Sequence, residues 1–222
     1  ALTLSSLNGS NGFVLNGIDV GDSSGASVDG VGDMNGDGFD DFVIGARIAD
    51  PGGDDQAGES YVVFGKGTSF STSLELSALD GTTGFRLDGI DPTDRSGHSV
   101  SGAGDVNGDG FDDLIISAYL GDPNSNSSSG ESYVIFGKSS SFTSSLDLST
   151  LNGTTGFRID GVDADDNSGR SVSSAGDVNG DGFGDLLIGA PGADPGGDSA
   201  AGESYVVFGK ASGFSSNLLL SG

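Results

Sequence analysis

The sequence predicts an all-β protein: a tandem array of small four-stranded antiparallel sheets of the kind that stack radially as blades of a β-propeller. Three observations carry this expectation. They are a composition rich in Gly and Asp, an internal period of 72 residues, and four short strand candidates in every period.

Gly accounts for 42 of 222 residues, against a usual share of about 7%. The acids number 33 and Lys plus Arg 8, for a formal net charge of -25. Only Glu59, Glu75, Glu131 and Glu203 are glutamates; every other acid is Asp, a poor helix former that favours turns. The charge excludes a nucleic-acid partner, because it repels the phosphate backbone. No apolar run approaches the ~18 residues of a membrane-spanning helix, so no transmembrane segment is expected. Without Cys there are no disulfides, thiol nucleophiles or thiolate zinc sites. An apolar share of 34% with 13 Phe still supplies a packed core.

The period is read from self-comparison. The run Gly-Glu-Ser-Tyr-Val-(Val/Ile)-Phe-Gly-Lys ends at Lys66, Lys138 and Lys210. Twelve of the 13 Phe fall on four repeat positions, and Phe42 is the exception. The whole chain, 1–222, reads as one repeat array, with repeats at approximately 9–80, 81–152 and 153–222.

Within each copy, Gly-, Ser- and Asp-rich turns bound four strand candidates. The first is Ala26–Val28 and its copies His98–Val100 and Arg170–Val172, made of small residues suited to a crowded channel. The second, Asp41–Gly45, Asp113–Ser117 and Asp185–Gly189, is apolar on both faces and therefore central. The third is Ser60–Phe64 with copies at 132–136 and 204–208. The fourth, Phe85–Asp88 and Phe157–Asp160, alternates apolar with charged and should show one face to water. Phe13–Asn16 is a weaker copy of it. Two blades are thus complete, while the first fourth-strand segment and the last three strands are orphans with open edges. Propellers have four to eight blades. Ring closure is therefore expected either from a homodimer that exchanges N-terminal strands into a six-bladed ring, or from a longer array of which this is a part. The matching stretches Leu2–Ser5 and Leu218–Ser221 are what excision from a longer array leaves.

Each copy also carries Asp-x-Asn-x-Asp-Gly-x-x-Asp between its first and second strands. The proposed ligands are Asp33, Asn35, Asp37, the Phe39 carbonyl and Asp41; Asp105, Asn107, Asp109, the Phe111 carbonyl and Asp113; and Asp177, Asn179, Asp181, the Phe183 carbonyl and Asp185. Hard oxygen donors at positions 1, 3 and 5 wrap a cation as in the first half of an EF-hand loop, and Gly38, Gly110 and Gly182 allow the sharp turn at position 6. The seventh residue's ring is expected to enter the core. Position 8 is Asp40, Asp112, then Gly184, so it is not a required ligand. Many flexible oxygens suit Ca2+ better than Mg2+, and Zn2+ lacks its nitrogen and sulfur donors. Three Ca2+ sites are expected, one per repeat.

These residues resemble the FG-GAP repeat family, whose members include the integrin α-chain β-propeller and many bacterial surface and secreted proteins. The Phe-Gly pairs are Phe64-Gly65, Phe136-Gly137 and Phe208-Gly209, and Gly-Ala-Pro survives once, at Gly189–Pro191. The resemblance covers nearly the whole chain. It implies a propeller, most often seven-bladed, with calcium in loops on one rim. The chain departs from that pattern in having three copies and no inserted metal-dependent adhesion domain.

Other signals read as structural. Asp19/Asp22, Asp91/Asp94 and Asp163/Asp166 form solvated turns whose Asp caps amides, and Asp50, Asp122 and Asp194 form further turns. Glu59, Glu131 and Glu203 bond a neighbouring loop, and Arg86 and Arg158 face outward. His98 is the only His and has no nucleophile partner. The function expected is a non-enzymatic, calcium-binding module for adhesion or surface architecture, extracellular and bacterial, taking a protein or glycan ligand through its variable loops. A lectin-like propeller, for which Tyr119 is the support, and an accessory part of a secreted hydrolase or lyase are the alternatives. The chain opens Ala-Leu-Thr-Leu without a signal peptide, so an export signal is expected elsewhere.

Overall fold

The computed structural model describes residues 3–221, so Leu2, part of the terminal overlap noted above, lies outside it. Fifteen strands follow in chain order among these residues. They are β1 (Val14–Asn16), β2 (Ser27–Gly32), β3 (Asp41–Ala46), β4 (Glu59–Val63), β5 (Ser73–Glu75), β6 (Gly84–Asp88), β7 (Val100–Gly104), β8 (Asp113–Ala118), β9 (Glu131–Ile135), β10 (Ser145–Asp147), β11 (Gly156–Asp160), β12 (Ser171–Gly176), β13 (Asp185–Ala190), β14 (Glu203–Val207) and β15 (Asn217–Leu219). Short 3-10 turns complete the regular structure, and no α-helix occurs among the described residues.

The expected strands are present, and in two blades four of them pair as antiparallel neighbours, β2-β3-β4-β6 in one and β7-β8-β9-β11 in the next. The structure adds one element to this four-stranded antiparallel blade. A fifth strand from the following repeat lies outermost and parallel: β10 on β6 and β15 on β11. Segments such as Ser145–Asp147 are too short and polar to read as strands alone, and they pair only because a formed edge receives them. The third repeat holds the three strands β12-β13-β14, and β1 pairs only with β5, so both orphans are where the phase of the repeat placed them.

Burial follows the patterning. Leu114, Ile115 and Ile116 on β8 are fully buried, as expected for a central strand apolar on both faces. Small residues on the first strands let neighbouring blades approach: Ser27 Oγ accepts from Val100 N at 3.1 Å, and Ser99 Oγ accepts from Val172 N at 3.2 Å. The outer edge is clasped by aromatics. Phe85 stacks on Phe142 at 4.5 Å and Phe157 on Phe214 at 4.6 Å, joining a blade to the segment that brings in its fifth strand. Lys138 and Lys210 cap the outer rings at 4.5 and 4.9 Å.

Each first strand ends in a register shift, at Gly30/Gly32, Gly102/Gly104 and Ser174/Gly176. Gly32, Gly104 and Gly176 have φ of 86°, 69° and 71°. This bulge, which needs a residue tolerant of positive φ, turns the chain out of the sheet and into the acidic loop.

The second acidic series departs from the solvated turn expected of it. Asp22, Asp94 and Asp166 are buried. Asp22 and Asp166 do cap amides, accepting from Asp19 N at 3.2 Å and Asp163 N at 3.3 Å. Burial pushes the Asp94 carboxyl up to about 7, with Glu131, Asp91 and Asp122 adding repulsion.

Two expected outcomes follow from this packing. Phe157 is fully buried whereas Phe208, which has no fourth strand beside it, is 54% exposed. In urea unfolding, Phe157→Ala should cost about 3–5 kcal/mol and Phe208→Ala about 0.5 kcal/mol or less; equal losses would contradict an open third blade. Asp94 binds its proton more tightly folded than unfolded, so its contribution to stability is complete below about pH 4 and is lost as pH rises through 7. Asp94→Asn should therefore raise the melting temperature at pH 8 by several degrees and lose that advantage at pH 4.

Candidate metal-binding loops

The acidic loops join β2 to β3, β7 to β8 and β12 to β13, as their position in the sequence implied. Their local fold is dictated by the first Asp. Asp33 Oδ1 accepts from Gly36 N at 2.8 Å and Asp37 N at 3.0 Å, and its Oδ2 accepts from Gly38 N at 2.9 Å. Asp105 and Asp177 gather the corresponding three amides at 2.6–3.1 Å and 2.7–3.0 Å. Three backbone N–H groups can point at one carboxylate only if the turn passes through left-handed conformations. Gly36 and Gly38 supply these, with φ of 75° and 89°.

Positions 3 and 5 continue the turn. Asn35 Oδ1 accepts from Asp37 N at 2.8 Å, and Asp37 Oδ1 accepts from Phe39 N at 3.0 Å. The same bonds form at Asn107/Asp109/Phe111 and Asn179/Asp181/Phe183.

Position 9 lies beneath the loop. Asp41, Asp113 and Asp185 are buried. Asp41 Oδ2 accepts from Met34 N at 3.0 Å and Oδ1 from Gly65 N at 2.9 Å. Asp113 takes Val106 N and Gly137 N, and Asp185 takes Val178 N and Gly209 N, at 2.9–3.0 Å. The glycine in each case belongs to the Phe-Gly pair after the third strand, so this residue ties the loop to the far end of its own blade. Burial pushes the Asp41 carboxyl up to about 6 and that of Asp113 up to about 8, with the loop acids adding repulsion.

The seventh residue's ring does not enter the core. Phe39 is 44% exposed and Phe111 and Phe183 are half-buried. A side chain at Gly36 would collide with the Phe111 ring, and one at Gly108 with Phe183. The Phe111 and Phe183 rings therefore lie across the acidic loop of the preceding repeat. The expectation that this ring enters the core of its own blade fails because the surface it covers lies 75 residues away in the chain. Position 8 shares the seam. Asp112 Oδ2 accepts from Asp33 N of the preceding loop at 2.8 Å, while Gly184 N donates to the Asp105 carbonyl at 2.8 Å. Lys138 N and Lys210 N donate to the Met34 and Val106 carbonyls at 2.9 Å. Position 8, which the sequence sets aside only as a metal ligand, donates its backbone N–H to the preceding loop in both seams, and the Asp112 side chain adds a bond in the first, so Asp and Gly both serve.

The donor chemistry suits a hard cation. Lone pairs remain on Asp33 Oδ2 and on both oxygens of Asp37 and Asp41 after the amides are counted. Among the described residues no group of three or more His, Asp or Glu side chains converges closely enough to hold a metal ion.

The variable loops show the expected turn chemistry. Asp50 and Asp122 accept from Gln56 N at 2.7 Å and Ser128 N at 2.6 Å. Tyr119 is only 7% exposed, its ring flanked by His98 at 4.3 Å and by the Arg170 guanidinium at 4.5 Å, which leaves it no free face for a sugar. No helix among the described residues is long and apolar enough to cross a membrane.

Comparison with known proteins agrees with this architecture. The FG-GAP repeat matches at residues 24–63, 96–135 and 168–207, together more than half of the chain. The chain is 30% identical over 187 residues to integrin alpha-PS5 of Drosophila melanogaster, covering 82% of this chain and 16% of that protein. It is 28% identical over 178 residues to integrin alpha-4 of Xenopus laevis, covering 80% and 15%. It is 32% identical over 165 residues to phosphatidylinositol-glycan-specific phospholipase D of Bos taurus, covering 74% and 18%. The chain thus spans less than a fifth of the length of these relatives. By sequence match, repeat length and blade topology, the chain belongs to the FG-GAP repeat family.

Proposed function

We propose that the chain is a calcium-stabilised, non-enzymatic propeller segment of an extracellular adhesion or surface-architecture protein. The observation that carries this reading is the identical hydrogen-bond pattern of three acidic loops, each of which aligns Asp, Asn and Asp oxygens along one turn. Asp33, Asn35, Asp37, the Phe39 carbonyl and Asp41 would hold the first ion, with the corresponding five residues of the other repeats holding the second and third. The ion supplies positive charge to a cluster whose carboxylates otherwise repel. The chain's own contribution is to fix the loop in advance. Its first Asp orders three amides, its ninth clamps the loop to the third strand, and in the first two loops the following repeat's Phe shields it. Three divalent ions would offset six of the 25 excess negative charges.

The likeness to integrin α chains supports the adhesion reading. The likeness to phosphatidylinositol-glycan-specific phospholipase D supports a second one, a propeller segment accompanying a hydrolase. An array of matrix proteins and glycans probed with labelled chain separates the readings. Calcium-dependent retention on protein spots supports adhesion, retention on glycans alone supports the lectin-like alternative, and no retention on either leaves the accessory role.

Metal dependence is tested directly. Removing calcium with a chelator should lower the melting temperature by at least about 5 °C. Calorimetric titration should give three ions per chain, and two for Asp109→Ala. An unchanged midpoint, or three ions retained by Asp109→Ala, would remove the metal from this account.

A further inference from the structure

The chain has eight Lys and Arg residues, and the blades account for five of them. Lys66, Lys138 and Lys210 sit over the rings of Phe70, Phe142 and Phe214, while Arg86 and Arg158 pair with acids of their own blades. The other three, Arg47, Arg95 and Arg170, gather with His98 about Tyr119. The Arg170 guanidinium lies 4.5 Å from the Tyr119 ring centre and the His98 ring 4.3 Å from it, and Arg95 Nη1 donates to the Tyr119 hydroxyl at 3.4 Å. Arg47 follows β3, whose Gly45 abuts the backbone of Gly97 beside His98. Burial, with Arg170, Arg47 and Arg95 adding repulsion, pushes the His98 imidazole down to about 4.

No acid answers this charge. Among the described residues none of the three arginines forms an ion pair with a carboxylate. Arg95 makes two long bonds of 3.4 Å, both to uncharged groups, Tyr119 and Gln56. Its Nε and the Nδ1 of His98 are buried without a hydrogen-bond partner. Gathering cations in this way costs repulsion, and building a blade does not require it. Arg47, Tyr119 and Pro191 share one repeat position; Arg95 aligns with Ser23 and Asn167, and His98 with Ala26 and Arg170. The cluster also lies apart from the acidic loops. Those join first strands to second strands, whereas Arg47 and Tyr119 follow second strands and the other three residues precede first strands, at the opposite ends of the sheets.

We propose that Arg47, Arg95 and Arg170 form a binding site for a single carboxylate, presented by an Asp or Glu side chain of a partner polypeptide. A guanidinium fork matches a carboxylate in shape as well as in charge, and the bound group would offset the repulsion and take up the unused Arg95 donor. Acids border the cluster: Asp94 adjoins Arg95 in the chain, and exposed Asp54 and Asp55 lie in the loop whose Asp55 carbonyl accepts from Thr93 N at 2.8 Å. A compact anion fits within this border, whereas a polyanion would extend over it and be repelled. The site gives the adhesion reading a partner chemistry, and rests on that reading only for the polypeptide source of the carboxylate.

The test uses the full chain in calcium and follows the imidazole signals of His98, the only histidine, by NMR. The probe is the capped tripeptide acetyl-Gly-Asp-Gly-amide, compared with its Asn counterpart, inorganic phosphate and a heparin tetrasaccharide. The Asp peptide should shift the His98 signals saturably and bind at least about tenfold more tightly than the Asn peptide. Arg47→Gln and Arg95→Gln should each weaken the Asp peptide about tenfold and leave the Asn peptide nearly unchanged, a pairwise coupling that a general loss of folding does not produce. No saturable shift, equal binding of the two peptides, or indifference of the Asp peptide to both substitutions would overturn the proposal. Tighter binding of phosphate or of the heparin fragment would overturn it as well, by giving the site to a different anion. The chelator experiment on the metal loops involves none of these residues, so the two readings can fail separately.

Discussion

Each blade depends on one buried carboxylate. Asp41, Asp113 and Asp185 each accept one amide from the start of the acidic loop and one from the glycine that ends the third strand. Those amides sit where the sheet ladder stops and water is excluded, so each needs an internal acceptor. Two carboxylate oxygens satisfy both and fix the loop, the second strand and the end of the third strand relative to one another. The glycine of the Phe-Gly pair follows from the same place, because a side chain at Gly65, Gly137 or Gly209 would meet the backbone of the loop.

The loops are also the seams of the array. A ring at position 7 covers the preceding loop, and the residue at position 2 fills the gap between blades: Met34 and Val106 are fully buried, whereas Val178, with no repeat after it among the described residues, is 56% exposed. The acidic turn therefore has two faces. One presents oxygen donors to solvent, and the other carries packing from blade to blade. Order imposed on the loops by a cation would in this way reach the inter-blade contacts without any change in strand pairing.

The fourth and fifth strands show how repeat and blade differ. Each repeat of 72 residues supplies three strands to one sheet and two, the fourth and the fifth, to the outer side of the sheet before. Neighbouring repeats are thereby interlocked rather than merely stacked, and the Phe85–Phe142 and Phe157–Phe214 stacks mark the crossing points. Where no such strand lies among the described residues, as beside β14, Val206 and Phe208 are exposed, whereas Val62, Val134, Phe64 and Phe136 are buried.

The strands, the phase of the repeat and the acidic loops were legible in the sequence because each is local. Alternation marks a strand, Gly at a fixed place permits a positive φ, and Asp and Asn bond amides within a few residues. The threefold repetition separated these signals from chance. What only the tertiary structure decided is long-range. The outward lie of Phe111 and Phe183, the seam bond from Asp112, the burial of Asp94, the enclosed Tyr119 ring and the parallel fifth strand all depend on partners tens of residues away in the chain. No local pattern encodes which side of a turn will be covered. Burial sets that, and it exists only once neighbouring blades have come together.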